Sequence, residues 1–223
     1  MNRWVYLSHF LAPDTPAYGG CPSLEVSPTK CMAQGDSCNT AQWSFPNHLG
    51  THVDLPRHFV AAGQTLSDYG PEAWVFERIH LLDVSPATPG QTLGPSNLPV
   101  TAIPTGTELL LIKTGFEQHR GTPSYWQAGP VLRPELADAL RQRCPGLRAI
   151  GFDTISLSSW TDRDTGREAH KTFLDHEQAI LPVEDMALSA VGPETVFHRV
   201  VVCPLRVVNA DGAPVTVLAE VGS

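Results

Sequence analysis

His48, His52, Asp54 and His58 fall within eleven consecutive positions of a 223-residue chain. Imidazole nitrogens and a carboxylate form a donor set that suits zinc or manganese, so metal-assisted hydrolysis is the first chemistry to consider. A divalent ion held there would polarise a carbonyl and bring the pKa of bound water to ~7. Local residue types decide how the donors are presented. On a helix His48 and His52 share a face, but Asp54, six positions from His48, lies well round the cylinder. Gly50, the β-branched Thr51 and Val53, and Pro56 also disfavour a helix. In an extended chain the side-chain period is two. His48, Gly50, His52 and Asp54 then share one face, and Leu49, Thr51, Val53 and Leu55 the other, which separates chemistry from core. Pro56 ends the strand and lets His58 turn back towards the same pocket. An ordinary imidazole titrates near pH ~6.5, a range suited to proton transfer, which makes His58 the candidate general acid-base.

This segment, HLGTHVDLPRH, resembles the His-x-Gly-Thr-His-x-Asp-x-Pro-x-His signature of the metal-dependent cyclase hydrolases, which include bacterial kynurenine formamidase and isatin hydrolase. The resemblance implies an α/β fold, a mixed β-rich single domain of the swivelling β/β/α type over residues 1–223, with two divalent ions per subunit. In that family a histidine on a later helix and a glutamate ending a later strand complete the site. The matching positions are His170, with His176 as its rival, and Glu184, with Asp185 as its rival. His48 and His52 would serve one ion and His170 the other, with Asp54 and Glu184 bridging them. Tyr18 stands where the family carries an aromatic residue, often tryptophan, that packs on the substrate. The resemblance also implies a homodimer and a small aromatic amide or lactam as substrate. N-formylkynurenine is the leading candidate; isatin-like cyclic amides and aryl esters are the alternatives.

The elements that position these residues have to share one core. A chain of this length with 42% apolar residues builds one. A net charge of −8 and a pI near 5.5 leave no basic footprint for nucleic acid or an anionic membrane. Any anionic substrate would need local positive charge. Five cysteines without a C-x-x-C pair point to reduced thiols, and no signal-peptide core or membrane-length apolar run is evident. A soluble cytoplasmic protein is expected.

Residues 4–7, 79–84, 108–115, 148–153, 180–186 and 196–202 read as strands. Residues 24–43 read as short strands around a turn at Gln34-Gly35-Asp36, with Trp43 and Phe45 expected to line or support the metal pocket. A helix is expected over 133–143. Pro134 suits its first turn, Glu135 favours the positive end of its dipole, and Leu136 and Leu140 form an i, i+4 stripe. With the strands around it this gives the β-helix-β unit of mixed α/β folds. Residues 88–104 read as a surface loop, and 163–167 as a charged turn ahead of a helix at 168–174. Phe116, Tyr125 and Trp126 are placed near the pocket entrance. Asp211-Gly212 reads as a hairpin turn of the scaffold.

Two other function classes compete with the enzyme. A metal or small-ligand binding module would use His48, His52 and Asp54 and have no need of His58. A serine or thiol hydrolase needs a nucleophile context, but the chain has no G-x-S-x-G elbow, and Cys38 is better explained as a structural thiol.

Overall fold

Leu109-Leu110-Leu111-Ile112 is apolar without alternation, and a strand of that kind is stable when both its faces are covered. The computed structural model, which describes residues 2–20 and 24–222, covers both. In chain order the strands are β1 (Arg3–Tyr6), β2 (Glu25–Lys30), β3 (Thr40–Ser44), β4 (His52–Asp54), β5 (Val75–Phe76), β6 (Ile79–Asp83) and β7 (Thr92–Leu93). They continue as β8 (Leu109–Lys113), β9 (Val131–Leu132), β10 (Ala149–Phe152), β11 (Leu181–Glu184), β12 (Val196–Pro204) and β13 (Gly212–Gly222). The helices are α1 (Pro123–Gln127), α2 (Glu135–Arg143) and α3 (Arg163–Leu174).

The main nine-stranded sheet runs β5-β12-β13-β4-β11-β10-β8-β6, with β1 against β13. Strands β6, β8, β10 and β11 are parallel neighbours, and the remaining pairs are antiparallel. Leu110, Ile112, Ile150 and Phe152 face the apolar sides of α2 and α3, including Leu136, Leu140 and Phe173. Leu109, Leu111 and Val183 face the other way, onto Val200, Val202, Val215 and Val217 of the curled antiparallel half. Full burial of each such side chain contributes roughly 1.5–3 kcal/mol. The change from parallel to antiparallel pairing falls between β11 and β4, where Glu184 lies opposite His52. Ligand crevices form where the strand connections of an α/β sheet diverge, and the metal-ligand candidates meet there.

Four expectations are corrected. The extended run from His48 to Asp54 is a strand only over β4, because Gly50 has a φ of +64° and bends the chain ahead of it. The charged turn at 163–167 is the first part of α3, whose N-terminus is capped by the Asp162 side chain accepting from the Thr165 N–H. Residues 88–104 are not a free surface loop, since β7 pairs with β9 and Leu93, Leu98 and Ile103 are buried. The β2–β3 ribbon projects with all its residues exposed, so Trp43 does not support the pocket. Cys31, Cys38, Cys144 and Cys203 are free thiols, while Cys21 lies outside the described residues. Among the described residues no helix is long and apolar enough to cross a membrane.

Candidate metal centre

Adjacent strands and one helix bring four donors together. His52 and Asp54 project from β4, Glu184 ends β11, and His170 comes from the C-terminal half of α3. The two carboxylates are shared symmetrically between the imidazoles. His52 Nε2 lies 3.5 Å from Asp54 Oδ1 and 3.4 Å from Glu184 Oε2. His170 Nε2 lies 3.4 Å from Asp54 Oδ2 and 3.5 Å from Glu184 Oε1. Donors ~2.0–2.1 Å from a tetrahedral ion stand about 3.3 Å from one another, whereas a direct hydrogen bond prefers about 2.9 Å. The observed gaps fit a divalent ion.

Each imidazole is aimed through its other nitrogen. His52 Nδ1 donates to the Gly50 carbonyl at 2.8 Å and His170 Nδ1 to the Gly166 carbonyl at 2.7 Å, which turns both Nε2 atoms onto the carboxylates. The left-handed bend at Gly50 favours glycine, and a Cβ there would also have to displace the end of the Leu11 side chain, whose Cδ2 would stand 2.6 Å away. Glu184 Oε1 is held by the Leu157 N–H at 2.8 Å and by Ser156 Oγ at 3.1 Å. Electrostatics follow the geometry. Burial alone would lower the His52 imidazole, but hydrogen bonding to Glu184 and the charge of Asp54 push it up to about 9. Burial likewise opposes charge on His170, and its bonds to Asp54 and Glu184 push it up to about 10. For Asp54, burial favours the neutral acid, yet hydrogen bonds from His170 and His48 hold its carboxyl well below the usual range.

A second group sits at the open side of the first. His48, on the bend before Gly50, has Nδ1 2.8 Å from Asp54 Oδ1 and Nε2 3.1 Å from Asp211 Oδ2. His58, from the 3-10 turn Pro56–His58, stacks on His48 with ring centroids 3.9 Å apart. Its Nδ1 lies 3.1 Å from the same Asp211 oxygen. Two donor triads therefore share Asp54: buried His52, Asp54 and Glu184, and the half-open His48, Asp54 and His58. His58 is within reach of a ligand's position as well as that of a proton carrier.

The profile of the Cyclase family matches residues 5–159. The chain belongs to that family. Kynurenine formamidase from Geobacillus thermodenitrificans is 28% identical to it over 219 residues, 96% of this chain and 96% of that one. Isatin hydrolase A from Labrenzia aggregata shares the fold with a TM-score of 0.82 at 22% identity, covering 100% of this chain and 94% of its own. A predicted metal-dependent hydrolase from Bacillus stearothermophilus does so with a TM-score of 0.76 at 18% identity, covering 99% and 98%.

In this Cyclase-family site the rivals separate cleanly. His176 is exposed beyond the end of α3, its Nδ1 accepting from the Gln178 N–H at 2.9 Å. Asp185 turns away from the cluster with a φ of +51°. Its carboxylate takes a forked ion pair from Arg120, with Nε and Nη2 both at 2.9 Å, and accepts from the Tyr125 hydroxyl at 2.5 Å. Its carbonyl accepts from Thr51 Oγ1 at 2.6 Å, which ties β11 to the residue before His52. Phe116 and Tyr125 are fully buried and do not form the entrance.

The cavity over the donors measures about 280 Å³, with Tyr18, Phe59 and Ile155 on its apolar wall. That is close to the lower end of small-molecule sites, roughly 300–1,000 Å³. The Tyr18 hydroxyl accepts from Ser158 Oγ at 3.2 Å, and its ring meets Trp160 edge-on at 5.6 Å. Trp126 braces Trp160 from another side at 5.8 Å. Trp43 and Phe45 are not on this wall.

Asp211 is the functional candidate that sequence reading missed. Asp211-Gly212 reads as scaffold turn chemistry, but the β12–β13 connection spans residues 205–211 and Asp211 turns in to both histidines. Gly212 serves the same purpose, since a Cβ there would collide with His48. The available signal was charge: within residues 207–219 Asp211 is the one ionisable side chain.

Proposed function

We propose that this chain is a metal-dependent hydrolase that opens the amide or lactam bond of a small aromatic substrate. N-formylkynurenine is the leading substrate, and an isatin-like lactam is the second reading. The relatives named kynurenine formamidase and isatin hydrolase support a hydrolase of this kind. The observation that carries the reading is the pair of buried carboxylates, each shared between two imidazoles, with His58 at the open side.

The donor set suits zinc first and manganese second. His48 and His52 would hold one ion and His170 a second, with Asp54 and Glu184 bridging. When bound, such ions polarise the scissile carbonyl and make water nucleophilic near neutral pH. The protein's own residues do the rest. Tyr18 and Phe59 pack the aromatic ring and exclude water from one side. His58 takes a proton from the attacking water at Nε2 and returns it to the departing aryl amine nitrogen, so that amide and water become carboxylic acid and amine, and the acid then releases its own proton to solvent as the carboxylate. Asp211 Oδ2 accepts from His58 Nδ1, which holds the proton there and leaves Nε2 free to act.

The same reading takes residues 1–223 as one cyclase-like domain of a cytoplasmic homodimer. Trp43 and Val207, exposed and lining one shallow cavity, support an apolar surface for a second copy. The test of function is a panel of N-formylkynurenine, formanilide and isatin offered to zinc- and manganese-loaded protein. Release of formate with the aryl amine, or of the ring-opened acid from isatin, is expected. An inert panel with the ions bound would favour the binding module.

A further inference from the structure

Helix α3 presents three side chains to the cavity along one stripe. Arg163, Arg167 and His170 are spaced i, i+4 and i+7, and all three line it. At ~1.5 Å of rise per residue, Arg167 starts about 4.5 Å and Arg163 about 10.5 Å along the axis from His170. The direction of the stripe is fixed by packing, because Gly166 lies so close to Ser158 that a Cβ would collide with it. Among the described residues these are the lysine or arginine side chains on the cavity wall, in a chain of net charge −8.

Neither guanidinium is neutralised within the cavity. Arg163 lies over the Trp160 ring, its Cζ 4.6 Å from the centroid, and makes no ion pair among the described residues. A cation held over an aromatic face keeps its N–H groups available to donate. Arg167 meets Asp164 at 3.3 Å, but Asp164 is 97% exposed, and a pair in water of that kind contributes little. A cationic or neutral ligand would leave both forks unmatched, whereas a carboxylate matches the two-pronged donor geometry.

We infer that Arg163 and Arg167 recognise an anion, and that the substrate carries a carboxylate on a substituent pointing away from the scissile amide. This rests on reading the donor cluster as the seat of aryl amide hydrolysis. It also divides the two candidate substrates, since N-formylkynurenine bears such a carboxylate and isatin is a neutral lactam. Arg167, one turn from His170, is the closer contact; Arg163 sets the outer edge.

The test uses metal-loaded protein and two probes that differ only in charge, meta-formamidophenylacetate and its primary amide. Wild type should favour the acid by roughly 10- to 100-fold in kcat/KM, the size of one charge-assisted hydrogen bond. The preference should lie mainly in KM and shrink as salt rises above ~0.15 M. Arg167→Gln should lower the acid-to-amide ratio roughly tenfold, Arg163→Gln less, and Arg167→Lys should keep part of it. Calorimetric binding of the amine products, meta-aminophenylacetate and its amide, should show the same order without requiring turnover. Equal kcat/KM and equal binding of acid and amide in wild type, or an unchanged ratio in Arg167→Gln, overturns the inference. Preferential binding of the acid with no hydrolysis of either probe supports the anion wall and overturns the hydrolase reading instead.

Discussion

Loading this site with metal should expel protons, and the number can be worked from the geometry. Because their carboxylate partners outweigh burial, His52 is pushed up to about 9 and His170 up to about 10 in the metal-free protein. Both are imidazolium at pH 7, and each has to lose the proton on Nε2 before that nitrogen can bind an ion. At 1.36 kcal/mol per unit of pKa, the loss costs about 3 kcal/mol at His52 and about 4 kcal/mol at His170. Apparent affinity should therefore climb by about two powers of ten per pH unit between pH 7 and 9. The metal-free protein has the opposite slope. A histidine whose folded pKa lies above its unfolded value of about 6.5 contributes stability that is complete below that pH and lost as pH rises through the folded pKa. The apo protein should thus weaken from pH 6.5 to 10, over the window in which metal affinity grows. Titration calorimetry with manganese or zinc at pH 7, in two buffers of different ionisation enthalpy, counts the protons. His52 and His170 account for about two per protein, and His48, where burial is outweighed by the hydrogen bond to Asp54 and its charge so that the imidazole is raised, adds to that number. Fewer than one, or an affinity flat between pH 7 and 9, would refute the view that these imidazole–carboxylate contacts are the seat of the metal.

Two substitutions probe the division of roles. Glu184→Gln should reduce the occupancy of one ion more than the other, because a neutral amide is a poor bridge between cations. Elemental analysis at graded metal concentrations checks this, and equal occupancy of both ions would count against bridging. Asp211→Asn should keep the metal and lower kcat by roughly tenfold or more, since an amide can offer an N–H to His58 Nδ1 and favour the wrong tautomer. If that variant loses metal, Asp211 acts through His48 instead.

Much of the donor set was legible because its cues are local. The alternation of His52 and Asp54 with Val53 and Leu55 marks a two-faced strand, and Pro56 marks where His58 turns back. The same period predicts an unbroken extended run through His48, whereas a positive φ at Gly50, which leaves no trace in an alternating pattern, bends the chain there; His48 still reaches Asp54. Gly166 hid the start of α3. A glycine inside a helix costs about 1 kcal/mol relative to alanine, which reads as a turn, yet here it lets α3 press against Ser158 and aim His170. The choice between His170 and His176 depended on where that helix ends. Asp185 was a rival for Glu184 only in sequence, because its partner Arg120 lies 65 positions away. Asp211 escaped notice because Asp-Gly is also good turn chemistry, and what distinguishes the two uses is a contact with His48 and His58 more than 150 residues distant.

In this reading five positions, His48, His52, His170, Asp54 and Glu184, hold metal for a reaction in which His58 moves the proton. The most direct measurement is metal content and turnover of N-formylkynurenine in His58→Ala, taken on the same preparation. Metal retained near the wild-type level with turnover reduced by roughly 10²–10⁴-fold, as for a lost general acid-base group, is the expected result. The structure also places His58 in a triad with His48 and Asp54, so the opposite outcome is defined. Loss of metal in parallel with activity would make His58 a ligand, and unchanged activity would remove it from the mechanism.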